Sequence, residues 1–211
     1  MPTRTQQAAP LLEFKREVSI MNFMKPTFES LKDHFLVAMP SLTEGIFAHS
    51  VTYLCEHNEH GAMGLIINRP IGIALGEILE QLDVDGVRHH GEDPVMAGGP
   101  VQIDRGFVLH RTSERQWEST MPITDEISLT TSRDILDALA HNEGPDRALV
   151  ALGYAGWGAG QLEQELAANS WLTIPADSVI IFNTPAEKRF DAAVAKLGID
   201  IAQLAPGAGH A

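Results

Sequence analysis

"RALVALGYAGWGAGQLEQELAAN", Arg147–Asn169, decides how the chain folds. It opens as an apolar strand, "RALVALGYAG", and closes as a helix, "GQLEQELAAN". Four glycines, Gly153, Gly156, Gly158 and Gly160, crowd the turn between them. Strand, glycines and helix are the setting of a phosphate loop, where backbone N–H groups at a helix start hold an anion. The details point elsewhere. The order is G-x-x-G-x-G-x-G rather than G-x-G-x-x-G, and no Gly-Lys-Ser/Thr follows. Glu163 and Glu165 fall in or near the first helical turn, where carboxylates complement the helix dipole and repel phosphate. The stretch reads as a packing device: glycine permits positive φ and close backbone approach. Trp157 is left to wall a shallow pocket.

Outward from this stretch, the elements do not alternate as a doubly wound fold requires. "FLVAMP" reads as a buried strand, and "SVTYLCEH" and "GLIINRP" as a hairpin around a polar turn. Along "SVTYLCEH", Val51, Tyr53, Cys55 and His57 share one face. "LGEILEQL" spaces Leu75, Ile78, Leu79 and Leu82 as a helix. "PVMAGGPV" and "RGFVLHRT" are strands, with a bend or bulge at Gly98-Gly99-Pro100. "EISLTT" is a strand before the helix "SRDILDALAH", with Thr131 and Asp134 as a capping box. "SVIIFNTP" reads as a strand before a helix with Thr184 as N-cap, Pro185 first and Gly198 as terminator. About eight short strands thus mix with about four helices. The expected fold class is α+β with a mixed sheet.

The 211 residues, 44% of them hydrophobic, suit one domain with a sizeable core. Residues 1–24 read as a mobile polar extension, and 25–211 as a single domain. Met1, Met21 and Met24 are alternative translation starts. The net charge of −13 argues against nucleic acid and anionic membranes as partners. No apolar run approaches the ~20 residues that span a bilayer. Cys55 is the only cysteine, which suits a reducing, cytoplasmic setting.

Several residues could carry chemistry. Cys55 beside His57 could be an activated nucleophile or a buried apolar cysteine. With His60 it forms C-x-H-x-x-H, which is not a standard zinc spacing, so no metal is expected. Asn68 and Arg69 end a strand. Asp104 and Arg105 form either a turn-stabilising ion pair or an anion contact. Thr131 and its hydroxyl neighbours at a helix start either cap it or bind an anion. No cofactor motif is present. The ligand-binding candidates are therefore Cys55, Asn68, Arg69, Asp104, Arg105, Thr131 and Trp157.

"SVTYLCEHNEHGAMGLIINRP", "GGPVQIDRGFVLH", "LTTSRDIL", "ALGYAGWGAGQLEQEL", "NSWLTIPAD" and the closing "AGHA" together resemble the bacterial AlgH/YqgE family, from about Leu31 onward. The resemblance implies one compact α+β domain whose mixed sheet is partly closed into a small barrel flanked by helices. It also implies a cytosolic bacterial protein. Members carry a transcriptional-regulator label, with no activity or cofactor attached. The expected function is regulation or ligand binding without DNA contact, through a protein partner or small ligand. An enzyme using Cys55/His57 or an arginine-lined cleft, and a direct DNA-binding regulator, are the alternatives.

Overall fold

The structure is a computed structural model describing residues 28–86 and 90–198. The 1–24 extension, the start of the domain at 25, its C-terminal end and the choice of start methionine lie outside the described residues.

Among the described residues ten strands form one sheet. They are β1 (His34–Ala38), β2 (Val51–Asn58), β3 (Gly61–Ile66), β4 (Pro70–Ala74), β5 (Pro94–Ala97), β6 (Val101–Arg111), β7 (Thr120–Pro122), β8 (Ile127–Thr130), β9 (Ala148–Gly158) and β10 (Trp171–Pro175). The main path runs β10-β1-β2-β3-β9-β6-β8-β7. The sheet curls into a half-barrel. Its pairings are antiparallel except β5 with β9, so it is mixed, as expected. Among the described residues five helices flank it: α1 (Leu75–Gln81), α2 (Asp134–Ala140), α3 (Gln161–Ala167), α4 (Ser178–Phe182) and α5 (Arg189–Leu197).

β9 is the spine. Its first half pairs with β6 and β5, and its last four residues, Ala155–Gly158, pair with β3. Gly153, Gly156 and Gly158 therefore lie inside an eleven-residue strand, not in a turn. Only Gly160 serves the turn, as the left-handed N-cap of α3 with φ 73°. Gly153 is left-handed too, with φ 71°. A Cβ there would meet Gly99 O at 2.5 Å, so two backbones touch where the half-barrel bends.

β6 answers this kink with an excursion. Val101 pairs with Tyr154 and Gly106 with Leu152, so Gln102, Ile103, Asp104 and Arg105 loop outward opposite Gly153 alone. Ile103 is 68% exposed as a result.

Two further expectations fail near the C-terminal helices. "SVIIF" is α4, not a strand: Asp177 accepts from Val179 N as its N-cap, and the edge of the sheet is taken by β10. Thr184 does not cap the last helix. Its hydroxyl donates to Val179 O, and a 3-10 turn, Ala186–Lys188, precedes α5. Gly198 does end α5, with φ 65°.

Three apolar clusters result. The largest joins Phe35, Tyr53, Leu65, Leu109 and Leu149 to Ile181 and Phe190 of α4 and α5. The second packs α1 and α2 on Val95, Val108 and Val150. The third sets Leu162 of α3 against Trp157, Trp171 and Leu54. Each fully buried side chain of this size contributes roughly 1.5–3 kcal/mol, so these clusters hold the curl.

Candidate functional site

The β2–β3 hairpin, the β6 excursion and the second half of β9 enclose an open cleft of about 630 Å³. Glu56, Asn58 and His60 rim it from the hairpin, and Arg105 and Gln102 from the excursion. Tyr154 and Phe107 form its aromatic wall, with ring centroids 5.6 Å apart. The Tyr154 ring lies over Gly156, where a Cβ would come within 3.1 Å of it.

Arg105 holds the middle of the rim. Its guanidinium lies 5.5 Å from the Phe107 ring centroid. It donates to Gln102 Oε1 and Thr131 Oγ1, each at 3.3 Å. Both acceptors are neutral, and no ion pair to Arg105 occurs among the described residues. The Asp104–Arg105 ion pair weighed from the sequence therefore does not form. Asp104 lines a separate groove of about 340 Å³, together with Thr131, Leu82, Leu136 and Leu152.

Trp157 borders the cleft, but its indole belongs to the other face of the sheet. There Glu165 Oε2 accepts from Trp157 Nε1 at 2.9 Å and from Trp171 Nε1 at 2.8 Å. Glu163 is committed as well. His57 Nδ1 accepts from Leu31 N, so Nε2–H donates to Glu163 Oε1 at 2.8 Å. Both glutamates are thus fixed by side-chain partners, where the sequence suggested only a helix dipole.

The Cys55–His57 pair does not exist. A β-bulge between Leu54 and Glu56 makes Cys55 an extra residue and reverses the alternation beyond it. Cys55 falls in the largest core cluster. His57 pairs with Ala62 on the face covered by α3. Cys55 is fully buried, its Sγ 3.7 Å from Tyr53 O, and burial pushes the thiol pKa up. Among the described residues, no three of His, Cys, Asp and Glu gather as a metal site.

The remaining candidates are structural in their contacts. Asn68 accepts from Val51 N and donates to His49 O, and Arg69 donates to Ala48 O. Thr131 does not cap α2. Ser132 instead donates to Asp134, whose other oxygen accepts from Glu118 N. Of the seven candidates, Arg105 and Trp157 thus border the main cleft, Asp104 and Thr131 the adjoining groove, and Cys55, Asn68 and Arg69 neither. Sequence reasoning missed Glu56, Asn58 and Tyr154. Their convergence depends on the β9 spine crossing from one sheet neighbour to the next, which leaves no local pattern.

The family described as AlgH-like (DUF179) matches residues 35–202. A UPF0301 protein of Saccharophagus degradans is 56% identical over 184 residues, 87% of this chain and 90% of its own. One from Nitrosococcus oceani is 53% identical over 181 residues, 85% of this chain and 96% of its own. The solution structure of the AlgH protein from Pseudomonas aeruginosa is 50% identical, with a TM-score of 0.71 over 90% of this chain and 100% of that one. A Corynebacterium diphtheriae protein shares the fold at 18% identity and a TM-score of 0.63, over 84% of this chain and 92% of its own. With its half-barrel sheet, its five helices and these matches along most of its length, the chain belongs to the AlgH-like family.

Proposed function

We propose that the protein is a regulatory protein of the cytosol that binds a small ligand in the Arg105 cleft and does not contact DNA. The observation that carries this reading is the state of Arg105. It is a cation at the rim of an aromatic-walled cleft, held by neutral acceptors only, in a chain of net charge −13. A guanidinium with open donors favours an anionic group. The Tyr154 and Phe107 wall favours a flat or apolar body attached to it. A ligand of this kind would join the hairpin to the excursion and so report its presence at the surface. No helix among the described residues is long and apolar enough to cross a membrane.

The test is a thermal-shift panel of aromatic carboxylates and nucleoside monophosphates at constant ionic strength. A ligand at a hundredfold its Kd stabilises by about 2.7 kcal/mol, which shows as a rise in Tm. At least one compound should raise the Tm of the wild type and not that of Arg105→Ala. A panel without a stabiliser, or stabilisation that survives Arg105→Ala, contradicts the reading. Duplex DNA should give no sequence-dependent gel shift near ~10⁻⁸ M, where specific binders operate. Such a shift would restore the direct DNA-binding alternative.

A further inference from the structure

Arg189 is 8% exposed, a degree of burial at which guanidinium groups ordinarily face a carboxylate. This one does not. Its Nε donates to Thr184 O at 2.9 Å and its Nη1 to Ile67 O. No ion pair to it and no hydrogen bond from Nη2 occur among the described residues. The charge that favours its ionised form is that of Glu187, which is exposed. Burial lowers the guanidinium pKa to about 10, the direction expected of a cation short of compensation.

Arg189 is also a lining residue of a cavity of about 310 Å³ walled by β5, β9 and the helices α1, α2, α4 and α5. Leu149, Met96 and Phe182 give this cavity apolar sides. Arg147 adds a second cation at its rim, exposed and in no ion pair among the described residues. The acids there are Asp93, engaged at 2.8 Å by His90 Nδ1, and Asp146, which is exposed. The cavity shares no lining residue with the Arg105 cleft.

A buried cation with a spare donor, set in the wall of a cavity and backed by a second arginine, has the form of half an ion pair. We infer that this cavity is an oxyanion site, in which Arg189 and Arg147 hold the phosphate or carboxylate group of a small metabolite whose apolar part lies against Leu149 and Phe182. The site is independent of the Arg105 cleft, and either can fail without the other.

The test is a titration of the full chain with inorganic phosphate, and separately with succinate, followed by two-dimensional ¹H–¹⁵N NMR. Sodium chloride at matched ionic strength serves as the control. The expected result is a saturable shift of the Arg189 Nε–H signal and of the Ala148–Val150 amides with one anion or both. Whichever saturates at the lower concentration names the class. Arg147→Ala, at an exposed position, should weaken that binding about tenfold, the loss of one charge-assisted contact. Arg189→Lys, which keeps the charge but loses the fork, should weaken it at least as much. Shifts no larger than those in chloride, or unchanged saturation in a folded Arg147→Ala, would overturn the assignment.

Discussion

Glu165 Oε2 lies within 3 Å of two indole nitrogens, those of Trp157 and Trp171. The two rings meet edge to face, with centroids 6.1 Å apart, in the cluster under α3. Removing the carboxylate would leave two N–H donors without a partner, at about 1–3 kcal/mol each. Glu165→Leu should therefore lower unfolding stability by about 2 kcal/mol or more, and Glu165→Gln, which keeps an acceptor, by about 1 kcal/mol. Urea denaturation followed by tryptophan fluorescence measures both; a loss under about 0.5 kcal/mol for the leucine variant would mean that water satisfies the indoles. Cys55 supplies a contrary case, a residue whose chemistry the fold suppresses. It is fully buried and its thiol is held protonated by burial. A thiol reagent should label it only at the rate of unfolding, and rapid labelling of the native protein would refute the burial.

Among the elements, the β9 spine makes the sharpest demand on sequence. The glycines of β9 and of the turn after it are not equivalent. Gly153 combines φ 71° with a would-be Cβ 2.5 Å from Gly99 O. Gly160 has φ 73° but open space around it. Gly158 would meet nothing closer than Gln161 Oε1 at 3.9 Å. Alanine at 160 should cost about 1 kcal/mol from backbone strain alone. Alanine at 153 should cost several times that, because backbone must also move, and alanine at 158 should be close to neutral. Chemical denaturation of the three variants gives the order; a Gly158→Ala as damaging as Gly153→Ala would remove the kink from the account. Sequence patterning revealed β1, the β2–β3 hairpin, α1 and α3: β1 is a short apolar run buried on both faces, the hairpin strands flank a polar turn, and the helices space their apolar residues at helical intervals. It also placed the break at Gly98-Gly99-Pro100. It could not show that "GYAGWG" is strand, since nothing local distinguishes glycines that pair across a sheet from glycines that turn. It mistook "SVIIF" for a strand, because four apolar residues carry too little period to separate the two and the Asp177 cap decided the matter. The Leu54–Glu56 bulge was equally silent, and with it went the inference that Cys55 and His57 share a face.

At the scale of the molecule, an acidic protein presents one arginine at the rim of an aromatic-walled cleft, with hydroxyl and amide acceptors behind it. Arg105 was legible as a candidate from "QIDRG". Its hydrogen-bond partner Thr131 and its cleft neighbours Tyr154 and Glu56 were not, because they come from other parts of the chain and meet it only in the folded sheet. The excursion and the hairpin tip therefore line one cleft on the sheet. The most direct measurement is backbone-amide NMR of the wild-type protein titrated with the best stabiliser from the thermal panel. Saturable shifts should concentrate at Gly61, Met63, Arg105, Phe107, Tyr154 and Gly156, and should be lost in Arg105→Ala. Saturable shifts that leave those amides unmoved, or that persist unchanged in Arg105→Ala, would contradict binding in this cleft.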